Sequence, residues 1–398
     1  MHSRYIVIGI SNKKNDCLPE QLTALLEQHT VFSGGARHYE LVKQWLPVYH
    51  TWIPIKGDME VVFAAYRQAT MPVVVFASGD PLFYGMVQTI QKYDEAAAIT
   101  VYPHFNSMQR LCAKIGQPYQ QVKNTSVHGR SWQELDEALL RGEPLIAVLT
   151  DATRDPRAIA QRLIDYNFLQ YEMIIGEDLD GTHEEIRTGE PSAILQWTFQ
   201  PLNCVLLRQV RPALQPGFGI ADHLFTGLEG RPNMITKKAV RLLSLSCLQL
   251  HRARVFWDIG FCTGSVAIEA RRLFPHLQVV AFEKREACLA IMQHNMQQLS
   301  APGIEIRMGD FFSCDHTLLP APDAVFIGGH GDRLEALMQL IDRYLIAGGR
   351  IVMNVVLESS HQCFAQQAAA LNWECAEPQT IQINQHNLIT VLTAIKPA

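Results

Sequence analysis

Three acidic residues and two glycines in the second half of the chain have the types and spacing of a site for an adenosine-bearing ligand. Residues 255–269 (Val-Phe-Trp-Asp-Ile-Gly-Phe-Cys-Thr-Gly-Ser-Val-Ala-Ile-Glu) read as strand, glycine turn and helix. Gly260 and Gly264 let the main chain turn sharply and approach a ligand, and the amides opening a helix at Ser265 offer donors to a carboxylate. Glu283 closes the next strand, about 20 residues on, where a carboxylate can accept from both ribose hydroxyls. Asp310, in Met308-Gly-Asp-Phe, ends a third strand and could meet an adenine amino group, with Phe311 against the ring. The plainer alternative is that Asp258, Glu283 and Asp310 only end strands and cap helices.

A dinucleotide turn requires G-x-G-x-x-G, but here Gly260 is followed by Cys262 and Ser265 at the other two glycine positions. The D-x-G-x-x-x-G spacing from Asp258 fits S-adenosylmethionine (SAM) better, because that ligand has no pyrophosphate to cradle. A second constellation lies in the first half. Val73-Val-Val-Phe-Ala-Ser-Gly-Asp-Pro-Leu-Phe-Tyr-Gly85 reads as a buried strand, a Gly-Asp-Pro turn and a helix. Gly79 permits backbone approach and Pro81 sets the turn, while Asp80 can face a ligand amine or its own backbone.

The elements that must position these residues alternate short β-branched runs with longer amphipathic stretches, which predicts an α/β architecture. Strands are expected at 5–10, 73–77 and 145–149, with helices over 18–29, 84–93 and 156–167. The segment 211–219, with two prolines and two glycines, is the expected linker. Beyond it, strands are expected at 255–259, 279–283, 304–308, 324–327 and 350–355, closing with 373–377 and 388–394. This organisation predicts domains at 1–210 and 219–398, the first dividing again near 109–117.

At 398 residues the chain has room for two or three domains. Hydrophobic residues make up 48% and charged residues 18%, which excludes a disordered or coiled-coil composition. A net charge of -5 argues against nucleic acid held by bulk electrostatics. The nine cysteines contain no C-x-x-C pair, so neither a zinc cluster nor a disulfide framework is expected. No apolar run reaches bilayer length and the one at 5–10 is too short for a signal-peptide core, so a cytoplasmic, membrane-free protein is expected.

The second half resembles the class I SAM-dependent methyltransferases that methylate C15 and decarboxylate C12 of precorrins. The resemblance rests on Asp258 to Glu269, on Ile235-Thr-Lys-Lys-Ala-Val-Arg241 and on Asp323-Ala-Val-Phe-Ile-Gly-Gly329. It implies a Rossmann-like fold and a cofactor contact from Thr236. Cys262 stands where that family has its second motif glycine. The first half is similar to the tetrapyrrole methylases (class III), in particular their C5-methylating corrin branch. Here the motifs are the Ser78-Gly-Asp-Pro loop with Phe83, Tyr84 and Gly85, then Ser33-Gly-Gly-Ala-Arg-His38, Ser126-Val-His-Gly-Arg130 and Leu149-Thr-Asp151. That family folds as two α/β subdomains. Two departures stand out: the usually glycine-rich first loop reads Gly9-Ile-Ser-Asn-Lys-Lys14, and a later segment reads Pro103-His-Phe-Asn-Ser107.

The resemblances imply one SAM per domain, with Gly9, Gly79, Asp80, Tyr84, Ser107 and Asp151 at the first cofactor. Thr236, Asp258, Gly260, Cys262, Gly264, Glu283, Asp310 and Phe311 are expected at the second. The substrate implied is a polycarboxylate tetrapyrrole, for which fixed cations are needed. Arg37, His38, His128 and Arg130 are the expected partners in the first site, and Lys237, Lys238 and Arg241 in the second. His330, after Gly328-Gly329, could orient the C12 acetate or carry a proton. No metal is expected, and association into a homo-oligomer is the default expectation. Two rivals stay open: a fused methyltransferase acting on another substrate such as RNA, and a chain in which one domain only binds.

Overall fold

The computed structural model describes residues 4–13, 17–213, 217–231, 234–383 and 388–398. Part of the expected linker (214–216) and Lys14 lie outside them. The first sheet holds β1 (Arg4–Ile10), β2 (Val31–Gly34), β3 (Thr51–Pro54), β4 (Val73–Ser78) and β5 (Ala98–Tyr102), all parallel, in the order β3-β2-β4-β1-β5. Val73 to Ala77 are all buried, as a central parallel strand covered on both faces demands. Alternation along it sends Val73, Val75 and Ala77 into one core with Phe63 and Tyr66, and Val74 and Phe76 into another with Phe32.

A second sheet is built from β6 (Lys123–Ser126), β7 (Leu145–Leu149), β8 (Tyr171–Glu177), β9 (Glu185–Gly189) and β10 (Asn203–Gln209), in the order β6-β7-β10-β8-β9. Only the β6–β7 pair is parallel. The expected division near 109–117 falls largely inside the helix Ser107–Lys114, and the new sheet opens at β6, a strand too short and polar to stand out from its sequence.

The third sheet contains β11 (Val255–Ile259), β12 (Gln278–Glu283), β13 (Ile304–Met308), β14 (Ala324–Ile327), β15 (Arg350–Val355), β16 (Glu374–Cys375), β17 (Gln379–Ile381) and β18 (Ile389–Ile395). Its order is β13-β12-β11-β14-β15-β18-β16, parallel as far as β15, with β18 antiparallel and β17 beside it. The expected strand at 373–377 shrinks to β16, because the chain resumes pairing with β18 only at β17. β11 is buried throughout: Phe256 packs into one core, and Val255, Trp257 and Ile259 into the other. The order reverses beside β11, between β12 and β14, which leaves a crevice at the carboxyl ends of those strands.

The chain separates into two compact units, 1–130 with 144–161 and 171–210, and 211–398 with 131–143 and 162–170. No helix among the described residues is long and apolar enough to cross a membrane.

Candidate functional site

In the first unit the carboxyl ends of β1 and β4 and the loop after β5 meet. The Gly79 amide donates to Ile10 O at 2.9 Å, and Gly79 takes φ +63°. A β-carbon on Gly9 would stand 2.0 Å from Gly79 O and 2.7 Å from His104 N, and one on Gly79 would stand 2.9 Å from Asn106 Cα. Side chains are therefore excluded at both glycines by backbone, which leaves main-chain groups facing whatever binds there.

The expected cations of this site separate into two groups. Arg37 donates to Asn12 Oδ1 and to Ser78 Oγ, both at 2.6 Å, and His38 Nε2 lies 2.9 Å from the same Ser78 Oγ. The Gly-Gly-x-Arg-His segment after β2 is thus joined to the Ser-Gly-Asp-Pro loop. Burial, assisted by the Arg37 charge, lowers His38 to about 4, so this imidazole is neutral at physiological pH. Asn12 in turn donates to Asp178, a partner with no sequence signal.

His128 and Arg130 are held elsewhere. His128 Nδ1 lies 2.7 Å from Thr150 O, and Arg130 donates to Gln88 Oε1 at 2.9 Å while stacking over the Tyr84 ring at 5.1 Å. Tyr84 itself takes φ +51° and donates to Asn124 O.

Two expected cofactor residues of this half bond to amides of the fold itself. Asp80 accepts from the Leu82 amide of its own turn at 2.9 Å. Asp151 accepts from the amides of Gly129, Thr153 and Arg154, bonds that hold its carboxyl down at about 2. It ties two loops together and accepts in addition from Arg154 Nη1 at 3.3 Å. Ser107 begins a helix capped by Asn106.

In the second unit, Gly260, Cys262 and Gly264 all take positive φ, at +82°, +51° and +76°. A β-carbon on Gly328 would stand 2.7 Å from Gly260 O, so β11 and β14 end in mutual backbone contact. Two cavities open beside them. One, of about 260 Å³, is walled by Gly260, Glu283, Asp310, Phe312, Gly328 and His330 among others. The other, of about 430 Å³, is walled by Thr236, Lys237, Asp258, Cys262, Thr263 and Asn354 among others. Met234, Gly260, Arg285 and Gly328 belong to both walls.

Asp258 is 1% exposed and accepts from the Ala267 amide at 3.0 Å. Burial, with Glu283 nearby, pushes its carboxyl up to about 7. Among the described residues, Asp258 Oδ1, Thr263 Oγ1 and His330 Nδ1 are buried without a hydrogen-bond partner. Buried polar atoms are normally paired, so three orphans at the walls of two cavities mark where a polar ligand fits.

Glu283 has no such vacancy. Its carboxylate accepts from the amides of Cys262 (3.0 Å), Lys284 (2.9 Å) and Arg285 (3.1 Å), and from Arg285 Nε (3.0 Å) and Nη2 (2.6 Å). Burial alone would raise its pKa, but the Arg285 bonds outweigh it and hold the carboxyl below the ordinary range. Asp310 is paired in the same way with Arg333 Nη2, at 2.7 and 3.0 Å. Arg285 and Arg333, which carry no expectation from the sequence, are the partners of the two outer carboxylates, Glu283 and Asp310. Each follows its carboxylate or the fourth strand by a few residues, a weak signal in a chain with many surface arginines.

Two further expectations change. Arg241 is fully buried, bonded to Glu269 Oε2, Asp222 Oδ1, Ile220 O and Thr236 O, so it braces the segment below the cavity and meets no substrate. Its place in a helix whose inner face is core explains this. Lys237 lines the larger cavity, whereas Lys238 is exposed on the first helical turn outside both walls. Phe311 packs among Phe282, Trp257 and His316 and lines the smaller cavity, as does the half-buried Phe312, which lies under the Arg333 guanidinium at 3.9 Å. Cys262 lines the larger cavity, and its thiol, raised by burial, donates to Met234 O at 3.2 Å.

A parallel sheet with a glycine turn after β11, acids ending β12 and following β13, and a crevice at the switch point define the second unit as a class I methyltransferase domain. The first unit, with an all-parallel sheet followed by a mixed one, is an α/β pair of the tetrapyrrole methylase kind. The family described as precorrin methyltransferase domain matches residues 230–398, and that described as tetrapyrrole (corrin/porphyrin) methylases matches residues 14–193. A Sinorhizobium precorrin-6Y C(5,15)-methyltransferase [decarboxylating] is 29% identical over 98% of this chain and 93% of its own. A Salmonella typhimurium cobalt-precorrin-6B C(15)-methyltransferase (decarboxylating) is 41% identical over 40% of this chain and 81% of its own. The cobalt-precorrin-7 C(5)-methyltransferase of the same organism is 34% identical over 47% and 91%. The chain belongs to the precorrin methyltransferases, SAM-dependent enzymes of cobalamin biosynthesis.

Proposed function

We propose that the chain is a two-site C-methyltransferase of corrin ring synthesis, with one SAM in each domain. The first domain, 1–210, methylates C5 of a precorrin-6B-type tetrapyrrole. The second, 219–398, methylates C15 and decarboxylates the C12 acetate, giving a precorrin-8-type product. The observation that carries this reading is the presence of two separate glycine-walled strand-end sites, in the order of the two activities that the Sinorhizobium relative's name combines. A net charge of -5 argues against nucleic acid held by bulk electrostatics, and we take the enzyme to be cytoplasmic and to associate as a homo-oligomer.

Bound at these sites, SAM supplies an activated methyl group for in-line displacement by a nucleophilic ring carbon. Positioning and exclusion of water then provide most of the acceleration, so few obligatory side chains are needed. In the second site Asp258 and Thr263 would hold polar groups of the amino-acid end, and Glu283 the ribose. Asp310 would take the adenine amino group. Lys237, at the wall of the larger cavity, would hold a substrate carboxylate. In the first site Gly9 and Gly79 would offer main-chain groups, with Arg37 beside them for a propionate or acetate.

His330 would hold the C12 acetate in the smaller cavity through its orphaned Nδ1. On loss of carbon dioxide the electron pair of the broken C–C bond passes into the conjugated, protonated imine of the macrocycle, and a proton is returned to the remaining methylene. Mass spectrometry of the tetrapyrrole, after incubation of the full chain with precorrin-6B and SAM, tests the whole scheme. Two added methyl groups and one lost carboxyl are expected. A single methyl with decarboxylation would leave the first domain without its activity, and an unchanged tetrapyrrole would overturn the substrate.

A further inference from the structure

Two arginines near the second site differ in how they are held. Arg241 is fully buried and bonds to four groups on three segments. The Arg285 side chain is one-third exposed, at 33%, and precedes the helix Ala287–Gln298 by two residues. Its hydrogen bonds go to Glu283 and, at 3.7 Å, to Met234 Sδ, with the Cys262 thiol alongside. A thioether is a weak acceptor, so the Arg285 fork is fixed chiefly by Glu283.

Glu283 receives five donors, which exhausts the roughly four lone-pair sites of a carboxylate. A ribose diol at Glu283 needs acceptor capacity that the two Arg285 nitrogens now occupy. The three backbone donors cannot leave without unfolding the turn, whereas the guanidinium can leave by rotating its own side chain. Arg285 also borders both cavities, so a guanidinium released from Glu283 stays within reach of ligands in either.

We propose that Arg285 is a displaceable latch: the cofactor's ribose takes Glu283 from it, and the freed guanidinium becomes the anchor for a carboxylate of the tetrapyrrole. The proposal rests on the reading of the second domain as a SAM site for a polycarboxylate. It couples the binding of the two ligands without any movement of the backbone. An unpaired guanidinium at a cavity wall seeks a planar, bidentate anion, and carboxylates are what this substrate presents. Because the cofactor frees the group that the tetrapyrrole then uses, each ligand tightens the other by the same factor.

The test uses the full chain, S-adenosylhomocysteine and precorrin-6B. Hydrogen–deuterium exchange of the peptide over 255–290, followed against S-adenosylhomocysteine concentration, gives an affinity local to the second site and blind to the first. Tetrapyrrole affinity is measured by calorimetry with and without S-adenosylhomocysteine. In the wild type, saturating S-adenosylhomocysteine is expected to tighten tetrapyrrole binding severalfold. Arg285→Ala should tighten S-adenosylhomocysteine severalfold, abolish that coupling, and weaken the tetrapyrrole about tenfold, the worth of one charge-assisted pair. Arg285→Lys, which keeps charge but loses the fork, should retain part of the tetrapyrrole affinity, and it decides the matter if the alanine variant misfolds.

Looser S-adenosylhomocysteine binding in either variant, or wild-type tetrapyrrole affinity indifferent to S-adenosylhomocysteine, would overturn the latch alone. A wild type whose 255–290 peptide gains no protection would overturn the cofactor site itself, and the latch with it.

Discussion

The carbonyl oxygen of Gly79 lies so close to Gly9 that a β-carbon on Gly9 would stand 2.0 Å from it, with His104 N at 2.7 Å on another side. Both neighbours are backbone, and neither can yield as a flexible side-chain end could. Gly9→Ala should therefore push β1 away from the Gly79 loop, at a cost of about 1–3 kcal/mol. C5 methylation should be lost while C15 methylation survives. Product mass spectrometry and thermal unfolding check both parts, and a variant with normal C5 methylation would remove Gly9 from the first site.

Arg241 and Lys237 sit four residues apart and should fail in different ways. Arg241→Met leaves Glu269, itself 1% exposed, without its guanidinium. Breaking one half of a buried pair costs about 3–5 kcal/mol, so the expected loss is stability, read by chemical denaturation. Lys237→Ala should leave stability nearly unchanged and raise the KM for the tetrapyrrole roughly tenfold, the worth of one bond to a charged group. Equal effects on KM from the two variants would refute the division.

Cys262 holds φ +51°, a conformation that costs a non-glycine residue roughly 1 kcal/mol or more. Cys262→Gly relieves that strain and loses the thiol's contact with Met234 O together with its packing against the core. The expected result is a gain of about 0.5–1 kcal/mol in stability with S-adenosylhomocysteine affinity equal or better. Calorimetric unfolding and the exchange titration both measure it.

Asp258 gives stability an unusual pH slope. Its carboxyl titrates near 3.8 when unfolded and at about 7 in the native protein. Between those values the native state binds a proton that the unfolded state does not, so stability falls as pH rises through the window. The slope approaches ~1.4 kcal/mol per pH unit for a single group. Asp258→Asn has no proton to lose, so its stability relative to wild type should grow from pH 5 to pH 7 in urea denaturation. A constant difference across that range would mean that Asp258 is ionised throughout.

Much of this molecule was legible in the sequence, for a local reason. The buried β4 and β11 runs, the positive-φ positions at Gly79, Gly260 and Gly264, and the acids at the ends of β12 and β13 depend on near neighbours and on strand periodicity. The short polar β6 and the edge strand β3 were not legible, because their pairing depends on strands already in place rather than on their own composition.

The sequence by itself therefore determined the α/β class of both halves and the family. Tertiary structure decided which charged groups are free to meet a ligand. Arg241 reads in the sequence as a substrate cation, but Glu269, 28 residues away, holds it. Glu283 remained at the site but acquired Arg285 as an occupant. A charged side chain takes the strongest partner within reach, and what is within reach is set by which distant elements pack together.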